Sequence, residues 1–155
     1  MSMDLRELYQ EIIIDHNRNP RNHHPMEDAS TQANGFNPLC GDKLTVYAKL
    51  VEGVIQDLSF VGCGCAISQA SASLMTDALK GKSIEEAHNL FHRFHDMLTK
   101  YDDEENTEKT QVSSMDKLTV LAGVKAFPAR VKCATLAWHT MEAALNKETS
   151  VVKTE

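Results

Sequence analysis

No apolar run in this 155-residue sequence approaches the roughly 18–20 residues needed to cross a bilayer, so no membrane partner is expected. The opening residues, Met1-Ser2-Met3-Asp4-Leu5, show neither the basic stretch nor the apolar core of an export signal. Basic charge is in short supply too. Lys and Arg total 16 against 22 Asp and Glu, a net charge of −6, and no local basic patch offsets it, which argues against nucleic acid. Internal repeats and low-complexity blocks are missing. So are a paired-carboxylate motif, a Ser/His/Asp set and a phosphate-cradling glycine loop, which removes the usual hydrolase and nucleotide-binding signatures. What is present is an ordinary globular mix, 42% hydrophobic and 25% charged, long enough to bury a core without disulfide staples. The expected setting is cytoplasmic. There, four cysteines read as metal ligands or reactive thiols rather than as disulfides.

Periodicity predicts an α+β chain: a small antiparallel sheet of about three strands near the N-terminus, packed against about five helices. Leu5, Leu8, Tyr9, Ile12 and Ile13 line one face of a helix over 4–17, which stops ahead of Asn19-Pro20. A weak edge strand is expected near Ser30–Gly35. Leu44, Val46, Ala48 and Leu50 alternate with polar neighbours, and Val54–Val61 follows closely enough to form a hairpin. Helices are predicted over Ala66–Lys80, closed by Gly81, and after the capping box Ser83/Glu86. A short helix near Met115–Gly123 and a last one from Pro128 to about Asn146 complete the set. Residues 1–147 read as a single domain, with 101–111 an acidic loop and 148–155 a flexible tail.

Chemistry concentrates at the cysteines. In Asn37-Pro38-Leu39-Cys40-Gly41-Asp42 a thiol and a carboxylate sit one residue apart on a stiffened, bendable loop, a two-ligand corner for a divalent metal. Cys63 and Cys65 lie where a strand passes into a helix. Cys65 falls at the helix N-terminus, where free amides stabilise a thiolate, while Cys63 reads as small buried filler. Cys133 follows Arg130 and Lys132 on the last helix. Taken singly, Cys40 and Cys133 read as core residues and Cys65 as the likelier ligand or nucleophile. Together, Cys40, Asp42, Cys65 and Cys133 offer three soft ligands and one hard one, suiting tetrahedral zinc or an iron–sulfur cluster, and spacing does not choose between them. His88, His92 and His95 recur along one side of a helix, a pattern read here as a solvated flank rather than a second metal site.

Read in order, the motifs resemble the U-type iron–sulfur scaffold family of IscU and the N-terminal domain of NifU, and more closely its SufU branch. The resemblance is carried by Leu8-Tyr9 to Asp15-His16, Asn19-Pro20-Arg21-Asn22, Cys40-Gly41-Asp42, Gly64-Cys65-Ala66-Ile67-Ser68 and Phe127-Pro128-Ala129-Arg130-Val131-Lys132-Cys133. The long segment before Cys133, Lys132 where IscU has a histidine, and the missing LPPVK motif favour SufU. The family's threonine, eleven residues after its ligand cysteine, maps to Thr76 and so selects Cys65 over Cys63. The resemblance implies zinc held by Cys40, Asp42, Cys65 and Cys133, or alternatively iron or a [2Fe–2S] cluster. It implies sulfur received as a persulfide from a SufS-type cysteine desulfurase, with other Suf assembly proteins as further partners. Cys40 is the expected sulfur acceptor, and Arg130 is expected beside the thiolates.

Overall fold

In a computed structural model of the chain, the described residues are 5–99, 118, 121, 124, 127–147 and 152–153. The architecture is α+β. Helix α1 (Leu5–Arg18) leads to strand β1 (Thr31–Asn37) and the hairpin of β2 (Asp42–Val51) with β3 (Val54–Cys63). Helices α2 (Ala66–Leu79), α3 (Ile84–Thr99) and α4 (Pro128–Leu145) follow, then a two-residue strand β4 (Val152–Lys153). β1, β2 and β3 form an antiparallel sheet, and β4 adds a parallel pair to β1, giving the order β3-β2-β1-β4.

The local signals account for most of these elements. The two-residue loop Glu52-Gly53 has positive φ at both positions (51° and 78°), the turn whose twist suits an antiparallel hairpin. The Ser83 hydroxyl accepts from the Glu86 amide (3.0 Å) while the Glu86 carboxylate accepts from the Ser83 amide (2.9 Å), a reciprocal cap that starts α3. Pro128 occupies the first turn of α4, where its missing N–H costs nothing. One expectation needs correcting. β1 runs on to Asn37 and lies between β2 and β4 rather than at an edge, because a late segment of the chain pairs with its outer side. Four α-helices are seen among the described residues. The helix expected near Met115–Gly123 falls mostly outside them, although Leu118 and Leu121 are buried in 3-10 turns.

One face of the sheet, built from Leu44, Val46, Ala48, Leu58 and Phe60, is buried under α2 and α4. Trp138 of α4 is fully buried, stacks on Phe94 of α3 (centroids 4.6 Å) and donates its indole N–H to the Ser71 hydroxyl of α2 (3.2 Å). Its polar tip is therefore satisfied inside the core. Buried His16 ties α1 to α2 through the Ser73 hydroxyl (2.7 Å), which also accepts from the Arg21 amide (2.8 Å). These contacts fix one end of the sheet, the Cys63–Cys65 junction and the start of α4 in one region. No described helix is long and apolar enough to cross a membrane.

Candidate metal centre

Three chain segments converge there. The first is the turn between β1 and β2, which carries Cys40 exposed to solvent. It closes at Gly41, whose φ of +74° lies in the left-handed region that a side chain disfavours. Asp42 then opens β2 opposite Asn37 and is fully buried. The second segment is the β3–α2 junction. Cys65 is the N-cap of α2, in an extended conformation, and its sulfur accepts from the Ser68 amide at 3.5 Å. The third is the second turn of α4, which places Cys133 in the interior.

The ligand atoms of Cys40, Asp42 and Cys133 all lie within 4.8 Å of one another. The two sulfurs are 3.1 Å apart. Asp42 Oδ1 accepts from the Cys65 main-chain N–H (2.8 Å), which ties the second segment to the first. That approach requires glycine at position 64, because a Cβ there would stand 2.5 Å from Asp42 Oδ1. Burial pushes the Cys133 thiol well above its ordinary range, and hydrogen bonds with Cys40, Asp42 and Cys65 push the same way. Arg130, exposed one turn before Cys133, has its guanidinium pKa raised by the charge of Cys65 first and of Cys133 next. The site is an inward-facing group of sulfur and carboxylate donors with a cation at its rim.

Residues 8–134 match the family model of the NifU-like N terminal domain. The chain belongs to this family. Among its relatives, the zinc-dependent sulfurtransferase SufU of Bacillus subtilis is 42% identical over 147 residues, covering 94% of each chain. The iron–sulfur cluster assembly scaffold protein IscU of Streptococcus pyogenes is 38% identical over 143 residues, 92% of this chain and 86% of that one. A crystal structure described as a SUF-system iron–sulfur cluster assembly scaffold from Fervidobacterium islandicum superposes with a TM-score of 0.78. It is 32% identical and covers 90% of this chain and 98% of its own. The likeness to SufU anticipated from the motifs is therefore found along nearly the whole sequence.

For a NifU-like domain the donor chemistry suits a thiophilic dication. Asp42 has both oxygens held, Oδ1 by Cys65 N–H and Oδ2 by the Asn37 side chain, which leaves one lone pair on each for a further contact. Two thiols and a carboxylate within 4.8 Å of one another are donors suited to zinc or to a cysteine-held cluster, and the Cys65 sulfur is not among the atoms brought within that distance. Cys63 stands apart. It is exposed rather than buried, because in the sheet register it pairs with Lys43, one residue out of phase with inward Asp42. The histidines of α3 also differ from a solvated flank. His88 pairs with Glu142 of α4, and His95 packs against His139 and Phe91, while His92 stays exposed. Asn37 and Gly64, quoted in the motifs only as neighbours of Cys40 and Cys65, were assigned no role from the sequence.

Proposed function

We propose that this NifU-like protein works in iron–sulfur cluster assembly as a zinc-dependent sulfur carrier. In this reading Cys40, Asp42, Cys65 and Cys133 are the ligands, and the partner is a PLP-dependent cysteine desulfurase of the SufS type. The observation that carries it is the cluster of exposed Cys40 with buried Asp42 and Cys133, and the Cys65 main-chain N–H hydrogen-bonded to Asp42. The name of the Bacillus subtilis relative supports zinc and sulfur transfer over iron storage or simple binding. Bound zinc would keep the thiols deprotonated near neutral pH.

The chain's own residues divide the work. Cys65 and Cys133 are anchored on helices, whereas Cys40 rides an exposed turn and is the sulfur free to exchange. The Cys40 thiolate attacks the outer sulfur of the desulfurase's cysteine persulfide. The partner's S–S bond breaks, its cysteine leaves as a thiolate, and Cys40 carries the new persulfide with no net oxidation. Arg130 at the rim attracts the incoming anion. Leu39 and Phe127 leave large apolar side chains exposed on the turn of Cys40 and at the start of α4, a surface suited to docking the donor protein. A cytoplasmic setting, which keeps thiols reduced, agrees with four unpaired cysteines.

Mass spectrometry after incubation with desulfurase and cysteine should find one added sulfur on Cys40. Persulfide that still forms on Cys40→Ser would remove Cys40 from the role. A second reading, a scaffold on which a [2Fe–2S] cluster is built and passed on, draws on the IscU relatives and on the same ligands. Metal analysis of protein purified without oxygen separates the two. Near-stoichiometric zinc in a colourless protein supports the carrier, and a brown protein with acid-labile sulfide supports the scaffold.

A further inference from the structure

Asn37 ends β1 fully buried, and its short side chain reaches three parts of the site. Its Oδ1 accepts the Leu39 amide (3.2 Å) inside the turn that carries Cys40. Its Nδ2 donates to Asp42 Oδ2 (3.2 Å) and lies 3.5 Å from the Cys133 sulfur. The orientation of the amide is not arbitrary. Leu39 N–H can only donate, so the atom facing it must be the carbonyl oxygen, and the NH2 group is left for the carboxylate and the sulfur. An NH2 group has two hydrogens, and here it meets two acceptors. The Asn37 main-chain oxygen adds a fourth contact, accepting from the Gly41 amide at 2.8 Å.

We propose that Asn37 is a positioning residue of the metal centre, whose NH2 group bridges Asp42 and Cys133 and holds them as its rigid half. The proposal rests on the reading of Cys40, Asp42, Cys65 and Cys133 as metal ligands. A buried acceptor that loses its donor pays the full cost of desolvation, so the bridge fixes both groups in the orientation that points their remaining lone pairs at one spot. Outer partners of this kind set ligand orientation and metal affinity. Cys40 lies outside the bridge. It is exposed and takes its hydrogen bond from Cys133, which fits the part of exchangeable sulfur.

The competing role for Asn37 is structural: an Asx turn made through Oδ1 alone, which aspartate serves equally well. Asn37→Asp therefore separates the two. It keeps the acceptor for Leu39 and replaces the donor with an oxygen facing Asp42 and Cys133. Zinc affinity, read by competition with a chromophoric chelator at mildly alkaline pH, should fall on the order of tenfold to a hundredfold. The thiolate-to-metal absorption of the cobalt-substituted protein should weaken or shift, while circular dichroism of the metal-free protein stays that of wild type. Asn37→Ala, which introduces no charge, should lose affinity in the same direction and serves if the aspartate variant fails to fold. Wild-type zinc affinity in either folded variant would overturn the proposal while leaving the metal centre intact. A wild-type protein that gives no thiolate–cobalt absorption would instead overturn the ligand reading, and the role of Asn37 with it.

Discussion

The sulfurs of Cys40 and Cys133 stand 3.1 Å apart, joined by a hydrogen bond and no disulfide, although their positions differ by 93 in the chain. A disulfide needs about 2.05 Å, so a shift of roughly 1 Å in the exposed Cys40 turn would close it. Protein stripped of metal and treated with a diazene oxidant such as diamide should lose these two thiols together, as the oxidant is reduced to the hydrazine. Peptide mapping should find the Cys40–Cys133 pair, and zinc-loaded protein should resist. Loss of thiols at the same rate with zinc bound would show that these sulfurs are not ligands.

Gly64 allows the β3–α2 junction to lie against Asp42, and a Cβ there would come within 2.5 Å of the carboxylate. Gly64→Ala should displace Asp42 Oδ1 from the Cys65 amide and weaken zinc binding by about tenfold or more, the scale seen when a ligand's outer contacts are lost. Asp42→Ala should loosen zinc in the same assay. Retention of wild-type affinity by both variants would place Asp42 outside the centre.

Arg130 is exposed, and its guanidinium is drawn to the charge of Cys65. Its removal should leave the fold and most of the zinc in place. Sulfur transfer from the desulfurase should slow on the order of tenfold at low salt, and the difference should shrink as salt rises, as for a charge that guides encounter. A transfer rate equal to wild type at low salt would reduce Arg130 to a surface residue. Lys132, two residues along the same helix, is the natural control.

Burial, and then the charge of neighbouring His95, hold His139 below its ordinary pKa of 6.5. Phe91 packs edge-on to the same ring, and the His88–Glu142 pair also joins α3 to α4. The unfolded chain takes up a proton near pH 6.5 that the folded imidazole refuses. The contribution is therefore complete above that pH and is lost as pH falls below it. Urea midpoints of the metal-free protein should be lower near about pH 5.5 than near about pH 7.5, and His139→Gln should flatten this slope. An unchanged slope in that variant would assign the acid sensitivity elsewhere.

Much of the secondary structure was legible because its causes are local. Ser83 and Glu86 cap α3 through contacts three residues apart, and Pro128 starts α4 through its own ring. The burial of α4 was less local: Cys133 to Trp138 are buried without a break, because α2, α3 and the sheet all pack against this helix. The candidate ligands were legible less directly. A thiol and a carboxylate beside turn-forming glycine and proline are a weak signal alone, and it was the U-type motifs around them that ordered the set.

What the sequence determined by itself was thus an α+β chain with candidate ligands on a β-turn, a helix cap and a helix face. The tertiary structure decided which of those groups meet. Cys63 and Cys65 are near-twins in sequence, yet strand alternation turns Cys63 outward with Lys43 while the cap of α2 brings Cys65 to Asp42. β1 reads as an edge until Val152 and Lys153 pair with it from the far end of the chain. His88 reads as a solvent-facing residue until α4 supplies Glu142. Asn37 and Gly64 acquire their roles only when the sheet register sets them against Asp42. Each of these outcomes depends on contacts between residues far apart in sequence. Local propensity and period say which face a residue can occupy, and only packing says what stands opposite.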